Sequence, residues 1–281
     1  MTIPRLLGRY QLLAARVAIH VDDPDVREGL SLLLHQFAVD GEGGRVVLVV
    51  RDGDGFRATI DDGRPFMRAN DARACVTHLV FRLNELVAET PTDRVVVHAS
   101  VAGFGGAAVL FPGRSGAGKS TLVAGLVRSG CSYVTDELAV IPVGTTTVEP
   151  YPRSITLEQG AWGAFPELEG RAFQGVDQWF VPPERLRPGC VADGPLPIAG
   201  VVFPQAAPGR DTVIRELDRA EALMRVLRQA VNLAAHGGEG FHTLAAIVRE
   251  ARICAEMTSG VIADGVDAVL DAAATLPHRG P

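Results

Sequence analysis

Lysine is all but missing from this chain. Among the 27 lysines and arginines in 281 residues, Lys119 is the single lysine. Cysteine is scarce and scattered: Cys75, Cys131, Cys190 and Cys254 form no C-x-x-C pair. That spacing excludes a cysteine-built zinc site and a disulfide framework, and it fits reduced, buried thiols in a cytoplasmic protein. A positive balance is lacking too. The net charge is −6, which argues against bulk nucleic-acid binding, where basic patches meet phosphates. No secretory h-region is expected, because Arg5, Arg9 and Arg16 interrupt the apolar start. The uncharged run from Val95 to Gly113 has the length to span a bilayer. Gly103, Gly105, Gly106 and Pro112 break it, so it reads as two strands joined by a glycine turn, and no membrane association is expected. Internal repeats and low-complexity tracts are absent as well. What remains is a chain that is 47% hydrophobic, ample for a core and long enough for one large domain or two smaller ones.

The lone lysine has a conspicuous address. It lies in Gly113-Arg114-Ser115-Gly116-Ala117-Gly118-Lys119-Ser120, a complete G-x-x-x-x-G-K-[ST] phosphate-binding loop. Glycines let successive backbone N–H groups turn inward around a polyphosphate. The lysine reaches the β- and γ-phosphates, and the serine hydroxyl ligates Mg²⁺. A compact ammonium fits between phosphates where a planar guanidinium does not, so lysine is retained at the one place where arginine cannot replace it. Strand-like Ala107–Phe111 precedes the loop. A helix with Leu122, Val123, Leu126 and Val127 on one face follows it, ending near Gly130. Strand, loop and helix in that order are the context a true phosphate loop needs. ATP and Mg²⁺ are the expected cofactors, bound by Gly113, Arg114, Ser115, Gly116, Ala117, Gly118, Lys119, Ser120 and Thr121, with Ser120 on the metal.

Around the loop the pattern is α/β. Residues 1–91 read as a small α/β domain. Tyr10–Val21 is strand-like, and Asp23-Pro24 opens a helix with Val26, Leu30, Leu33, Leu34 and Phe37 on its apolar face. Strands Arg45–Val50 and Phe56–Ile60 flank a hairpin turn. Asn70-Asp71 caps a second helix, and Pro91 ends it. Residues 92–281 form the second domain: strand Arg94–Ala99, the loop unit, and a strand Ser132–Ile141 containing Asp136-Glu137. Proline-rich residues 142–200 follow, then strands at Ala199–Phe203 and Asp211–Leu217. Asp218 with Glu221 reads as a capping box. Further helices are expected near 243–257 and 264–275.

The acidic pair narrows the class. A transporter ATPase carries an LSGGQ-like signature and a distant acidic pair, and neither is present. His98-Ala99-Ser100, the glycine turn, the loop and Tyr133-Val134-Thr135-Asp136-Glu137 together resemble HPr kinase/phosphorylase and its relatives. Pro152-Arg153-Ser154-Ile155-Thr156-Leu157, the stretch Gly175–Pro183 and the stretch Asn232–Phe241 extend the resemblance across about residues 92–275. It implies a mixed-sheet P-loop kinase core of HPr kinase type, related to phosphoenolpyruvate carboxykinase, and transfer of a γ-phosphate to a serine-type hydroxyl. Two departures stand out. Glu137 replaces the second aspartate, and Thr121 stands where an acid follows the loop serine. The downstream signature tied to HPr and to reverse phosphorolysis is not recognisable.

Catalytic candidates are Asp136, Lys119, His98 and Arg153. The resemblance gives Asp136 the part of base toward the acceptor hydroxyl, and Glu137 is the second metal candidate beside Ser120. Neighbouring strand residues face opposite ways, so both acids reach one site only where the strand ends or bulges. His98 orients Asp136 or touches a phosphate, and Arg153 grips substrate or transferred charge. Asn232, His236 and His242, around Gly237-Gly238-Glu239-Gly240, are candidates for a lid. The expected function is an ATP- and Mg²⁺-dependent serine kinase acting on a peptide or small protein, a ribosomal natural-product precursor among the options. A small-molecule kinase and a nucleotide-binding module without transfer stay open. The resemblance also implies a tendency to assemble as a homo-oligomer, and the first domain is assigned a docking role by analogy alone.

Overall fold

In the computed structural model, which describes residues 4–61, 63–90 and 92–276, the chain divides into two units. The first begins with β1 (Leu6–Leu12) and β2 (Ala15–Val21). The run Tyr10–Val21 therefore holds a turn that its apolar pattern conceals; Leu13 takes a positive φ of 53° there, and the two strands pair antiparallel. Helix α1 (Pro24–Leu34) starts on Asp23, whose carboxylate accepts from the Val26 N–H at 3.2 Å. Strands β3 (Arg45–Asp52), β4 (Gly55–Ile60) and β5 (Pro65–Ala69) complete a sheet of order β1-β2-β3-β4-β5, parallel only between β2 and β3. Helix α2 (Ala72–Glu89) is capped by Asp71, which accepts from Ala74 N–H at 2.8 Å. Val26, Leu30 and Leu33 of α1 and Val76, Leu79 and Leu83 of α2 are buried against this sheet's side of the unit.

The second unit opens with β6 (Arg94–Phe104), β7 (Ala107–Pro112), α3 (Lys119–Arg128), β8 (Ser132–Thr135), β9 (Leu138–Pro142), β10 (Thr147–Val148) and β11 (Ile155–Glu158). Residues Glu169–Pro182 then belong to the first unit and carry the short antiparallel pair β12 (Phe173–Gln174) and β13 (Gln178–Val181). This corrects the division at 91/92: the break lies between Thr92 and Asp93, and the span expected as one continuous second domain is interrupted. Phe173 and Phe180 supply apolar surface to the first unit, where Phe180 meets Phe81 edge-on at 5.8 Å. Local sequence pattern cannot announce such a return.

The second unit resumes with α4 (Pro183–Leu186), β14 (Leu196–Ala206), β15 (Val213–Glu216), α5 (Arg219–Leu227), α6 (Leu233–Glu250), β16 (Ile253–Ser259) and α7 (Ile262–Ala273). Its mixed sheet has the order β15-β16-β14-β7-β6-β8, with β9 also on β6 and β10 on β14. β7, β14 and β16 run parallel; β6 and β15 run antiparallel to their neighbours. Every residue of β7 is buried, so both of its faces are covered. Val97, Ala99, Val101, Ala108 and Leu110 share a core with Val226 of α5 and Leu244, Ile247 and Val248 of α6. The expected helix 243–257 is instead the end of α6 followed by strand β16. A run such as Ile253–Met257, apolar but for Glu256, suits either period, and parallel pairing with β14 decides it.

The helix after the loop is anchored at its far end. Arg187 donates to the Val127, Gly130 and Cys131 carbonyls at 2.9, 3.2 and 2.7 Å, and so ties the end of α3 to the turn that follows it. Arg187→Met is expected to lower stability in urea unfolding by about 1–3 kcal/mol. An unchanged midpoint would show that solvent satisfies those carbonyls equally well.

Candidate functional site

The site is assembled from the C-terminal end of β7, the N-terminal end of α3, and a break between β8 and β9. Gly113–Gly118 links β7 to α3. Gly116 and Gly118 hold positive φ values of 78° and 87°, a conformation that L side chains rarely adopt. Gly118 has a second constraint: a Cβ there would lie 3.2 Å from Cβ of Ala206 on β14. The Ala206 N–H donates to the Ala117 carbonyl at 3.1 Å and ties the loop to β14. No side chain caps the start of α3, although the first amides of any helix lack partners within it. A capless N-terminus with glycine turns before it suits an anion. Lys119 is only 5% exposed, and its Nζ donates back to the Arg114 carbonyl at 3.0 Å. Arg114, Ser115 and Gly116 form the exposed tip, whereas Ser120 and Thr121 are half-buried at the helix start.

The strand expected over Ser132–Ile141 is interrupted where the chemistry needs it. β8 and β9 both pair antiparallel with β6, Thr135 opposite Val101 and Leu138 opposite His98, and Asp136-Glu137 fall between. Glu137 carries a positive φ of 67°, which for a non-glycine residue marks a locally strained turn. Alternation is thereby suspended, and both acids join one cluster of charges.

Asp136 is fully buried and its two oxygens have three donors. Oδ1 accepts from the Ser100 hydroxyl at 2.5 Å and from the Ser120 hydroxyl at 2.9 Å; Oδ2 accepts from the Thr156 N–H at 3.1 Å. Glu137 turns elsewhere and forms an ion pair with Arg153. The geometry thus gives the two acids different partners. Asp136, expected as base, accepts from Ser120, the serine expected on the metal. Glu137, expected beside that serine, is held by Arg153, and its side chain keeps 30% exposure.

Arg153 is nearly sealed, at 3% exposure. Tyr133 Oη donates to its carbonyl at 2.6 Å, and its own N–H donates to the Tyr151 carbonyl at 2.8 Å. One guanidinium nitrogen serves Glu137, while Nε and Nη2 have no partner. His98 Nε2, Ser154 Oγ and Thr156 Oγ1 are likewise buried and unpartnered. Leaving such a group unsatisfied costs about 1–3 kcal/mol, so a cluster of them calls for a reason.

The charges explain one another. Burial pushes the Lys119 ammonium down from its ordinary pKa, against the pull of Asp136 and Glu137. Burial, reinforced by the Lys119 charge, lowers His98 and favours the neutral ring. Arg153 holds Glu137 below the usual carboxylate range. Burial and the neighbouring Glu137 charge raise Asp136, opposed by Arg153 and by the Ser100 and Thr156 hydrogen bonds. Burial also works against Arg153, but Glu137 and Asp136 outweigh it and keep the guanidinium charged.

These residues fit a nucleotide with Mg²⁺. The loop and capless helix would take the phosphates with Lys119. Ser120 would ligate the cation and Asp136 would hold it from behind, directly or through water. Among the described residues no group of three or more His, Cys, Asp or Glu forms a metal cage by itself, and Mg²⁺ in a phosphate site does not need one, since substrate oxygens and water supply most ligands. Among those residues, too, no helix is long and apolar enough to cross a membrane.

The lid residues are placed differently from expectation. Asn232 Oδ1 accepts from Val96 N–H and its Nδ2 donates to the Arg94 carbonyl, both at 2.9 Å. With His98 N–H on the Gln229 carbonyl at 2.7 Å, this fastens residues 229–232 along β6. Asn232 is a strut. His236 lies 3.4 Å from its amide, and Gly237 kinks α6 at φ 51°. His242 sits next to Phe241 on the exposed side of that helix.

Compared with known proteins, the sequence matches no protein-family model and no curated protein. The resemblance to the HPr kinase family therefore stands on the quoted residues alone. Residue-by-residue reading passed over Ser100 and Thr156. Ser100 was in plain view two positions after His98, but its partner lies 36 residues away. Ser100→Ala is expected to weaken Mg²⁺-dependent nucleotide binding about tenfold, the loss of one charge-assisted hydrogen bond, and to leave metal-free nucleotide binding intact. Titration calorimetry with and without Mg²⁺ reads the difference; equal losses in both would make Ser100 a purely structural residue.

Proposed function

We propose that this protein is an ATP- and Mg²⁺-dependent phosphotransferase of HPr kinase type, acting on a serine-type hydroxyl of a peptide or small protein. The observation that carries the reading is the Ser120–Asp136 hydrogen bond at the head of a complete phosphate loop. It brings together the two groups that a nucleotide–metal site would need: a hydroxyl from the start of the loop helix, and a carboxylate from the break between β8 and β9.

Phosphoryl transfer asks the protein for position and charge more than for covalent chemistry. Lys119 and the first amides of α3 would hold the β- and γ-phosphates. Bound Mg²⁺ would supply neutralisation of charge across those phosphates. The acceptor oxygen attacks the γ-phosphorus in line. Its P–O bond forms as the bond to the β,γ-bridging oxygen breaks, and ADP departs with that electron pair. The hydroxyl proton goes to Glu137, whose side chain is partly open to solvent, rather than to Asp136, whose oxygens are already occupied; Arg153 weakens Glu137 as a base, which suffices where the proton leaves late in a loose transition state. His98 lines the same charge cluster as a neutral ring, and Arg153 keeps Glu137 in place. The half-exposed flank at Glu137 is the approach for an acceptor of any size, which leaves small alcohols as a second substrate class.

Lys119→Ala is expected to abolish nucleotide binding. For the wild type, Mg²⁺·ATP at a hundred times its dissociation constant adds about 2.7 kcal/mol of stability, visible as a rise in thermal midpoint that the variant lacks. An equal rise in both would refute the loop assignment. Asp136→Asn is expected to keep metal-free binding and lose the Mg²⁺-dependent gain, whereas Glu137→Gln is expected to keep both and lose transfer. Full turnover by the Glu137 variant in an ATP-consumption assay would remove it as proton acceptor.

A further inference from the structure

The unpartnered donors around Arg153 are unusual in where they gather. Among the described residues, Nε and Nη2 of Arg153, Ser154 Oγ, Thr156 Oγ1 and His98 Nε2 are all buried without a partner. Their residues border the acidic pair and the loop: Arg153 pairs with Glu137, the Thr156 backbone N–H binds Asp136, Ser154 lies between Arg153 and Thr156 in the chain, and the Lys119 charge reaches His98. An apolar core would have no use for them, and a side chain serving only to neutralise Glu137 would need one N–H.

The free edge of Arg153 has a definite chemistry. Nη1 is committed to Glu137, and Nε with Nη2 presents two parallel N–H groups, the fork that grips a carboxylate or a phosphate through two oxygens. Tyr133 and Tyr151 fix the Arg153 backbone at its carbonyl and its N–H, and the ion pair with Glu137 sets the guanidinium. The hydroxyls of Ser154 and Thr156 follow immediately in the chain and are 4% and 8% exposed as residues. The loop already has its own lysine and helix amides for the nucleotide. A second set of oxygen-seeking donors beside it serves a second anion.

We propose that Arg153, Ser154 and Thr156 form an oxyanion site for the acceptor, so that the hydroxyl compound phosphorylated here carries a carboxylate or phosphate close to its reactive oxygen. This rests on the kinase reading. The acceptor's anionic group docks on the Nε–Nη2 edge and the two hydroxyls, entering past the partly exposed Glu137 and His98. Its hydroxyl is then held next to Glu137, the proton acceptor, because one guanidinium holds both groups. Lys119 is left to the nucleotide.

The test uses the full chain saturated with Mg²⁺ and a non-transferable ATP analogue, titrated calorimetrically with glycerate, glycerol 3-phosphate and glycerol. Glycerate or the phosphate is expected to bind at least about tenfold more tightly than glycerol, one charge-assisted contact's worth. Thr156→Val and Ser154→Ala are each expected to reduce that preference severalfold while leaving the thermal midpoint of the free protein unchanged or raised, since neither hydroxyl has a partner to lose. A lowered midpoint would reveal a hidden partner and overturn the assignment. So would equal binding of all three compounds, or an anion preference that vanishes once the triphosphate analogue is bound, which would return the fork to the γ-phosphate. Peptides with serine beside aspartate or asparagine separate a side-chain carboxylate from a small hydroxy acid; no preference in either pair overturns the proposal. If the analogue itself fails to bind, the kinase reading falls. The anion site is then judged by the same titration on Lys119→Ala, where binding lost in Thr156→Val sustains it and no binding removes it.

Discussion

One buried carboxylate organises the candidate site. Asp136 is shielded from solvent and accepts three hydrogen bonds, from Ser120 of the loop helix, Ser100 of β6 and the Thr156 backbone. A carboxylate taken out of water is stable only with donors on its oxygens. Those donors come from three separated parts of the chain, so satisfying Asp136 fixes the loop helix, β6 and the segment after Tyr151 relative to one another. The same bonds hold both oxygens of Asp136 in place.

The second acid owes its independence to a backbone irregularity. With regular alternation, Asp136 and Glu137 would face opposite sides of the sheet. The positive φ at Glu137 breaks the strand between β8 and β9 and lets both acids enter one charge cluster with different partners. Strain of this kind persists where surrounding structure imposes it. Here β6 holds the flanking residues on both sides, through Val101–Thr135 and His98–Leu138. The strain and the different partners of the two acids thus have one origin.

Charge balance completes the picture. Lys119 and Arg153 face Asp136 and Glu137 in a region largely closed to water, and each shifts the others' protonation. Arg153 neutralises Glu137 yet keeps two donors in reserve. The two cations and two carboxylates thus balance within the cluster, and the donors that Arg153 keeps in reserve are surplus to that balance.

The sequence by itself determined the loop, the strand before it and the helix after it, because glycine backbone freedom, an isolated lysine and helical periodicity are all local properties. Asp23, Asp71 and Asp218 could be read as helix caps for the same reason, and each accepts amides of its own helix. Tertiary structure alone decided the rest. The pattern of Tyr10–Val21 hid a hairpin, Ile253–Ser259 became a parallel strand by pairing with β14, and Glu169–Pro182 went to the first unit. Above all, which acid meets Ser120 depended on a turn at Glu137 and on contacts between residues 16 to 36 positions apart. Composition and periodicity say which residues carry charge and which are buried; they do not say which distant donor a buried carboxylate will find.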